Sequence, residues 1–516
     1  MPRSFNTAGP CRPDIDYMLP ASLRLPAVRP LIDDQRYFVL HAARQTGKTT
    51  ALLALAAELT AAGRYVAALV SMEVGAPFED NPGMAEGAIL GSWRAAARAQ
   101  LPEELQPPQW PSAEPGQRIG AALQAWTEAA PRPLVVFLDE IDALADDTLV
   151  SVLRQLRDGY RNRPGHFPWS LALVGLRDVR DYKLREGVAG RLGTASPFNI
   201  KVESITLRDF TADEVAQLYR QHTDETGQVF TPEAIARAFE LSQGQPWLVN
   251  ALARQITWYD VTDRTVSITA AHMEQAKEEL IARQDTHLDS LAERLREPRV
   301  RAVIEPMLAG TILGNVPQDD LRFVVDLGLC RRDAGGGLVI ANPIYREVIP
   351  RMLADAAIAS LAMVQPVWLR ADGRIDIGRL LDAFLAFWRQ HGEPLLRASP
   401  YSEVAAQIVM IAFLHRVANA AGTLEREYAA GMGRIDIRLR YGPDTFAFEL
   451  KVWRDGRPDP LTEGLAQLDA YLARLDLDTG WLVIFDQRTG QPPIEDRTSA
   501  DEATTPAGRT VTVVRG

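Results

Sequence analysis

The sequence predicts an α/β protein of several domains, with a parallel sheet covered by helices near the N-terminus and a second α/β region near the C-terminus. Three observations lead to this fold class. The chain has 516 residues, which is more than one hydrophobic core usually holds. Continuously apolar segments such as YFVLHA and PLVVFLDE alternate with helical patterns from residue 36 to residue 199. A similar alternation returns after residue 399 and includes the apolar segment WLVIFD.

Composition and charge narrow the class of protein. Hydrophobic residues make up 47% and charged residues 24% of the chain, as in globular proteins. The net charge of −11 gives no general basic field for nucleic acid, so such a contact would need a local patch. Cys11 and Cys330 are too few for a disulfide framework or a thiolate metal site. No signal segment and no long apolar run is apparent, so we expect a cytoplasmic protein without a membrane partner.

The order of predicted elements divides the chain into segments. Helical signals alone follow the first sheet, and short helices followed by GGGLVIANP are compatible with a winged helix. The predicted segments are an N-terminal arm (1–30), a parallel-sheet core (31–205), a helical lid (206–295), a winged-helix-like domain (296–355), a connector (356–398) and a second α/β domain (399–516).

The segment HAARQTGKTT (41–50) follows an apolar strand and opens a helix, which is the position of a phosphate-binding loop. In such a loop, backbone N–H groups surround the phosphates, Lys48 would contact the β- and γ-phosphates, and Thr49 would ligate Mg²⁺. Ala42 replaces the first glycine of the GxxxxGK[ST] pattern, whereas Gly47, where the backbone approaches phosphate, is present. The predicted nucleotide-binding residues are Ala42, Ala43, Arg44, Gln45, Thr46, Gly47, Lys48, Thr49, Thr50 and Asp139.

The strand in RPLVVFLDEID provides the second half of the predicted phosphate site. It ends in Asp139, which would hold Mg²⁺, and Glu140, which would polarise the attacking water. Alternatively, both carboxylates only cap the following helix. The presence of a phosphate-binding loop after another strand favours a site that binds and hydrolyses ATP.

The order of strands resembles the additional-strand class of P-loop proteins, which includes AAA+ and STAND ATPases. The resemblance places Arg177 at the sensor-1 strand, where it would contact the γ-phosphate or be an exposed loop arginine. GQPWLVNALARQ (244–255) resembles the Gly-x-Pro start of a lid helix, with Arg254 either as a sensor-2 residue or as part of a plain amphipathic helix. If the ATPase domain forms a homo-oligomer, the arginines available to a neighbouring subunit are Arg154, Arg157 and Arg161.

The stretch GRIDIRLRYGPDTFAFELK (433–451) predicts a hairpin with a two-residue turn at Gly442-Pro443. In that register Asp436 and Glu449 are direct cross-strand neighbours, and Lys451 follows on the same face as Glu449. Facing carboxylates repel each other, and a divalent cation between them removes that cost. The hairpin therefore predicts a Mg²⁺ site, with Mn²⁺ as an alternative metal.

An Asp on one strand and Glu-x-Lys on the next form the core of the PD-(D/E)xK nuclease pattern, in which the lysine positions or activates water. A helix predicted at 399–420 would add Glu403 to the metal, and Gln467 and Tyr471 resemble the QxxxY addition of one nuclease branch. The alternative is a nuclease-shaped domain that binds without cutting. The predicted catalytic residues are Glu140, Asp436, Glu449, Lys451 and Gln467, and the predicted metal ligands are Thr49, Asp139, Glu403, Asp436 and Glu449.

From FNTAGPCRPDIDYMLP (5–20) to REYAAGMGRIDI (426–437), the chain resembles a group of bacterial proteins that join an AAA-like ATPase to a C-terminal PD-(D/E)xK nuclease domain. The resemblance implies ATP and Mg²⁺ as cofactors and nucleic acid, with DNA favoured, as partner. Either ATP controls a nuclease, in defence or mobile-element biology, or it controls a switch that binds nucleic acid or a partner without cutting. The winged-helix-like segment would hold duplex DNA through Arg296, Arg299 and Arg301. Alternatively, this segment is a packing module between the other domains.

Overall fold

The computed structural model divides into two compact units. The first contains Met1–Arg283 and Val325–Leu329, and the second contains Gln284–Val324 and Cys330–Gly516. The residues described are 2–177, 203–283, 291, 293–309, 313, 316–333, 335–349, 352, 367–398, 405–418, 422–427 and 435–516.

A five-stranded parallel sheet forms the centre of the first unit, with the strand order β2-β3-β4-β1-β5. The strands are β1 (Tyr37–His41), β2 (Val66–Ser71), β3 (Leu134–Asp139), β4 (Ser170–Gly175) and β5 (Glu203–Thr206). The first four are almost entirely buried, because helices cover both faces of the sheet. β4 lies between β1 and β3, so the predicted parallel sheet with an additional strand is confirmed.

Helices surround this sheet and continue into a helical segment that follows β5. They are α1 (Ala21–Arg24), α2 (Val28–Asp33), α3 (Lys48–Ala61), α4 (Pro82–Gln100), α5 (Arg118–Ala129), α6 (Asp146–Gly159), α7 (Ala212–Thr226), α8 (Pro232–Ser242), α9 (Pro246–Arg254) and α10 (Ala270–Arg283). Short 3₁₀ segments lie at Glu73–Phe78, Glu103–Leu105, Ile141–Ala143 and Tyr160–Asn162, and a π-helical turn at Gln255–Asp260. α7 begins with a capping box between Thr211 and Glu214, and the side chain of Thr231 caps α8.

The N-terminal arm is ordered against the helical segment. The ring of Phe5 lies 4.9 Å from that of Tyr17 and 5.5 Å from that of Tyr219 in α7. Both Phe5 and Tyr17 are buried, so the arm contributes to the core of the first unit.

The second unit begins with short helices and a hairpin. α11 (Pro298–Ala309) and α12 (Gln318–Asp326) precede the antiparallel strands β6 (Cys330–Arg332) and β7 (Leu338–Ile340). The last residues of α12 belong to the first compact unit. This element order is compatible with the winged helix that the sequence predicts.

A six-stranded sheet in the order β12-β13-β11-β10-β9-β8 forms the C-terminal part of the second unit. Its elements are α13 (Ile377–Ala398), α14 (Ala405–Ala418), β8 (Gly422–Glu427), β9 (Ile435–Tyr441), β10 (Asp444–Trp453), α15 (Leu461–Leu475), β11 (Trp481–Asp486), α16 (Ile494–Arg497), β12 (Ser499–Thr504) and β13 (Thr510–Arg515). Ile437 and Phe448 pack on one side of the sheet with α13 and α14, while Leu468 of α15 packs on the other side with Ala447. The predicted order of helix, three strands, helix and strand is observed, with two further strands at the edge.

Residues 377–398, which the sequence analysis placed in a connector, instead form α13. Leu380, Phe384 and Trp388 recur at the spacing of one helix face and are buried in the core of the second unit. Among the helices in the described segments, none has both the length and the apolar character needed to cross a bilayer.

Candidate functional site

The loop after β1 has the backbone geometry of a phosphate-binding loop. Gly47 has a φ of 83° and lies at the N-terminus of α3, a helix of 14 residues. Gln45 also has a positive φ of 58°. These left-handed residues turn the chain into α3, whose N-terminal N–H groups and helix dipole favour an anion.

The ammonium group of Lys48 is held by the loop itself. Its Nζ donates hydrogen bonds to the carbonyl oxygens of Ala42 and Ala43, at 2.7 and 2.9 Å. Removal of the ammonium from water lowers the pKa of Lys48 to about 8, and the nearby carboxylates of Asp142 and Asp139 oppose this decrease. Since the ammonium is bound only to neutral carbonyls, a phosphate group would be a stronger partner.

Thr49 and Asp139 are brought together across the sheet. The hydroxyl of Thr49 donates a hydrogen bond to Oδ2 of Asp139, at 2.8 Å. Burial raises the pKa of Asp139, and the hydrogen bond from Thr49 acts in the opposite direction. A hydroxyl and a carboxylate at this separation are oxygen donors of the kind that Mg²⁺ uses in nucleotide sites.

Glu140 adopts a left-handed conformation with a φ of 58°. Its Oε2 accepts a hydrogen bond of 2.7 Å from the hydroxyl of Ser71, and its N–H donates to Oδ1 of Asp139 at 3.0 Å. The negative charge of Glu140 is the main cause of a raised pKa at Glu73. The side chain of Glu140 does not cap the 3₁₀ turn Ile141–Ala143, so the capping alternative is not supported.

Ser71 and Glu73 were not predicted from the sequence. Ser71 is the last residue of β2 and Glu73 follows it; because β2 is the neighbour of β3 in the sheet, both residues lie at the same sheet edge as Asp139. The sequence shows these two residues only as polar positions at the end of an apolar strand. They can be assigned to the site only when β2 is known to be the neighbour of β3.

A cavity of about 60 Å³ lies beside the phosphate loop and opens to solvent. Three separate segments line it: the N-terminal arm, the start of α3 and the helical segment after β5. Its lining residues include Tyr17, Arg24, Gly47, Thr50, Phe210 and Pro246. Its walls are largely aromatic and aliphatic, so they favour the apolar face of a ligand.

The Gly-x-Pro motif (244–246) contributes to the wall of this cavity. Gly244 has a φ of 79°, and a Cβ atom at this position would lie 1.9 Å from the carbonyl oxygen of Phe210. Only glycine fits this close approach. Pro246 opens α9 and lines the cavity, so the motif is more than an amphipathic helix start.

The two arginines predicted as sensor residues, Arg177 and Arg254, contact other parts of the protein. Arg177 is buried, and its Nε lies 3.3 Å from Oδ2 of Asp326, so its interpretation as an exposed loop arginine is wrong. The ion pair offsets the cost of burying the guanidinium. Arg254 donates to the carbonyl oxygen of Phe5 at 3.2 Å and lies over the ring of Trp258. These contacts place Arg254 beside the N-terminal arm and do not support a sensor-2 role.

The remaining predicted arginines are at the surface or in internal contacts. Arg154, Arg157 and Arg161 are exposed. Arg299 lies 3.6 Å from the ring centre of Phe323 and 3.3 Å from Asp320. These internal contacts favour the packing alternative for Arg299, whereas Arg296 is exposed.

The C-terminal hairpin has the predicted register. The turn occupies Gly442 and Pro443, between the paired residues Tyr441 and Asp444. Glu449 is the direct cross-strand partner of Asp436. The side chain of Asp436, and all of Glu403, lie outside the described residues.

Glu449 and Lys451 lie beneath helix α15 and are buried. The Nζ of Lys451 lies 3.3 Å from Oε1 of Glu449 and 3.2 Å from Oε1 of Glu463, and it donates a hydrogen bond to Oε1 of Gln467. Gln467 also donates to Glu463 at 2.8 Å. Tyr471 is buried one turn further along α15.

Glu463 is therefore a member of this cluster that the sequence analysis missed. Its spacing of four residues from Gln467 was the available signal, because such residues share a helix face. Among the side chains that the structure describes, no group of three or more His, Cys, Asp or Glu residues is arranged to hold a metal ion.

No protein-family model and no curated protein matches the chain. Among solved structures, the chain is similar to the Walker-type ATPase paby2304 of Pyrococcus abyssi, with 13% identity over 67% of this chain and 99% of that one and a TM-score of 0.48. It is also similar to the RuvB Holliday junction branch migration motor of Thermotoga maritima, with 15% identity, coverages of 64% and 92% and a TM-score of 0.33.

A third similar structure is the Orc1 protein of Aeropyrum pernix in complex with DNA, with 14% identity, coverages of 90% and 96% and a TM-score of 0.34. Likeness of this extent carries no argument for fold or function. The α/β P-loop fold of the first unit rests on its sheet order and on the geometry of the loop.

Proposed function

We propose that the first unit binds ATP with Mg²⁺ at residues 42–50 and hydrolyses it. The observation that supports this most is the hydrogen bond of 2.8 Å between Thr49 and Asp139, which joins the phosphate loop to the acidic strand. Lys48 and Glu140 belong to the same two segments. A phosphate-binding loop and an acidic strand end thus form one site, as nucleotide hydrolysis requires.

Each residue has a defined task in this proposal. Lys48 exchanges its bonds to two loop carbonyls for bonds to the β- and γ-phosphates. Thr49 and Asp139 would hold Mg²⁺, which neutralises phosphate charge when it is bound with the nucleotide. Glu140 accepts the proton of the attacking water, and the hydrogen bond from Ser71 orients its carboxylate. The cavity beside the loop accommodates the base.

ATP hydrolysis by Glu140→Gln tests this assignment. The variant should bind ATP with nearly the affinity of the wild type, because glutamine keeps the size and the hydrogen-bonding oxygen of the side chain. Its turnover should fall by about 100-fold or more, because loss of a general base typically costs that much. Arg64→Ala, which changes an exposed side chain of the same unit, is the control. Normal turnover by Glu140→Gln would refute the role of Glu140.

We further propose that the C-terminal domain is a metal-dependent phosphodiesterase that acts on nucleic acid, with DNA favoured, and that ATP controls it. The register that pairs Asp436 with Glu449 and the position of Lys451 beside Glu449 support this proposal. Asp436 and Glu449 would hold Mg²⁺ or Mn²⁺, with Glu403 as a further ligand.

In this second site, Lys451 would position the attacking water. Gln467 and Glu463 hold its ammonium group and thereby fix its direction. A lysine buried among acceptors on one helix face is suited to a positional task, because its side chain has little freedom. The test is cleavage of plasmid DNA and of RNA with Mg²⁺ or Mn²⁺. Binding without cleavage would favour the alternative of a switch that recognises nucleic acid.

A further inference from the structure

Arg24 is a buried cation at the end of α1. Only 8% of its surface is exposed. Its Nε and Nη2 donate to the carbonyl oxygen of Arg208, at 3.2 and 2.5 Å, and its guanidinium lies 4.8 Å from the ring centre of Phe210. One edge of the guanidinium is thus fixed by the chain that leads into α7.

The other edge of the guanidinium faces the phosphate loop. A Cβ atom on Gly47 would lie 3.3 Å from Nη1 of Arg24. Arg24 also lines the cavity together with Gly47 and Thr50. If the β- and γ-phosphates bind at Lys48 and the base in the cavity, the α-phosphate would lie between them, near Arg24.

No ion pair neutralises Arg24 within the part of the chain that the structure describes. Asp209 and Glu214 act on it only as more distant charges. Glu214 is already engaged by Arg208, at 2.6 and 2.8 Å. Burial lowers the pKa of Arg24 to about 10. A buried cation without a paired anion is unfavourable, and an anionic ligand would remove that cost.

We propose that Arg24 binds the α-phosphate of the nucleotide and couples its presence to the predicted lid segment through its contact with Arg208. This inference rests on the proposed nucleotide site. Arginine suits the task because its planar fork can contact Arg208 with one edge and a phosphate with the other. A lysine at this position would supply the positive charge, but it could contact only the carbonyl oxygen of Arg208 or the phosphate, and not both.

The experiment compares the affinities of adenosine and ADP, measured by calorimetry, for the wild type and Arg24→Gln. The affinity for ADP should fall by about tenfold or more, as for loss of a hydrogen bond to a charged group, while the affinity for adenosine should stay unchanged. Arg24→Lys should retain part of the ADP affinity. Arg29→Gln changes an exposed arginine of the same region and should behave like the wild type.

The outcomes separate this inference from the proposed function. If Arg24→Gln and Arg24→Lys weaken adenosine and ADP binding equally, Arg24 only shapes the cavity and the inference is wrong. If neither ligand is affected, the inference is also wrong, although the nucleotide site stands. Failure of the wild type and of Arg29→Gln to bind ADP would instead refute the nucleotide site itself.

Discussion

Two lysines, Lys48 in the first unit and Lys451 in the second, are held by different kinds of partner. Lys48 donates to two carbonyl oxygens of its own loop, within six residues of the chain. Lys451 contacts Glu449 and two side chains of α15, up to 16 residues away. The first arrangement is local and has neutral acceptors, so a phosphate can replace them. The second depends on packing of a helix against a sheet and keeps the lysine in place.

The first prediction removes the replaceable lysine. Lys48→Ala should lower the affinity for MgATP by about 100-fold or more, because it removes a charged contact to the phosphates. Calorimetric titration measures the effect, and Arg64→Ala provides a surface control. Equal affinities in the wild type and Lys48→Ala would exclude the phosphate loop as the binding site.

The second prediction disturbs the fixed lysine without removing it. Gln467→Ala should lower the rate of phosphodiester cleavage by about tenfold, because Lys451 loses a partner that orients it while its charge remains. Glu502→Gln, at an exposed position of the edge strand β12, should cleave like the wild type. An unchanged rate in Gln467→Ala would show that the direction of Lys451 does not matter.

The third prediction concerns the carboxylate pair of the hairpin. Asp436→Asn should increase the free energy of unfolding in EDTA by about 1 kcal/mol, because it removes one of two like charges on residues paired directly across the strands. Added Mg²⁺ should stabilise the wild type and not the variant. Urea unfolding with and without Mg²⁺ measures both quantities. Identical responses of the wild type and Asp436→Asn to Mg²⁺ would refute the proposed metal site at the hairpin.

The fourth and smallest effect is a proton taken up on nucleotide binding. Lys48 has its pKa lowered from 10.5 to about 8, so part of it is neutral in the free protein at pH 8.5. Bound phosphates favour the charged form, so binding at pH 8.5 should take up a fraction of a proton, and binding at pH 7 much less. Titrations in buffers of different ionisation enthalpy report this uptake. Equal uptake at both pH values would contradict the lowered pKa.

The same pKa fixes the sign of the effect on stability. Because the pKa of Lys48 is lower in the folded protein than in the unfolded chain, folding releases protons between about pH 8 and 10.5. Lys48 therefore destabilises the fold below pH 8, and this cost decreases as the pH rises through that range.

Sequence reasoning succeeded where short segments determine the geometry. The phosphate loop is contiguous, and the register of the hairpin follows from a two-residue turn and the alternation of side chains. The hydrogen bond between Thr49 and Asp139 also follows from a pattern visible in the sequence, because β1 and β3 are parallel and end at one sheet edge.

Features that depend on tertiary packing were missed or mistaken. Ser71 reaches Glu140 only because β2 and β3 are neighbours, and Glu463 reaches Lys451 only because α15 packs on the sheet. The cavity combines three distant segments, and Arg24 is significant only within it. Arginines usually lie at the surface, but Arg177 is buried because it forms an ion pair with Asp326, which is distant in the sequence.

We propose that this chain carries two chemically distinct sites and that ATP at the first controls cleavage at the second. The most direct measurement follows ATP turnover and plasmid cleavage, with and without ATP and Mg²⁺, on the same preparations of wild type, Lys48→Ala and Lys451→Ala. We predict that Lys451→Ala keeps ATP turnover and loses cleavage, while Lys48→Ala loses turnover and cleaves at a rate that no longer responds to ATP. Absence of cleavage by the wild type under every metal and nucleotide condition, or cleavage that persists in Lys451→Ala, would contradict this proposal.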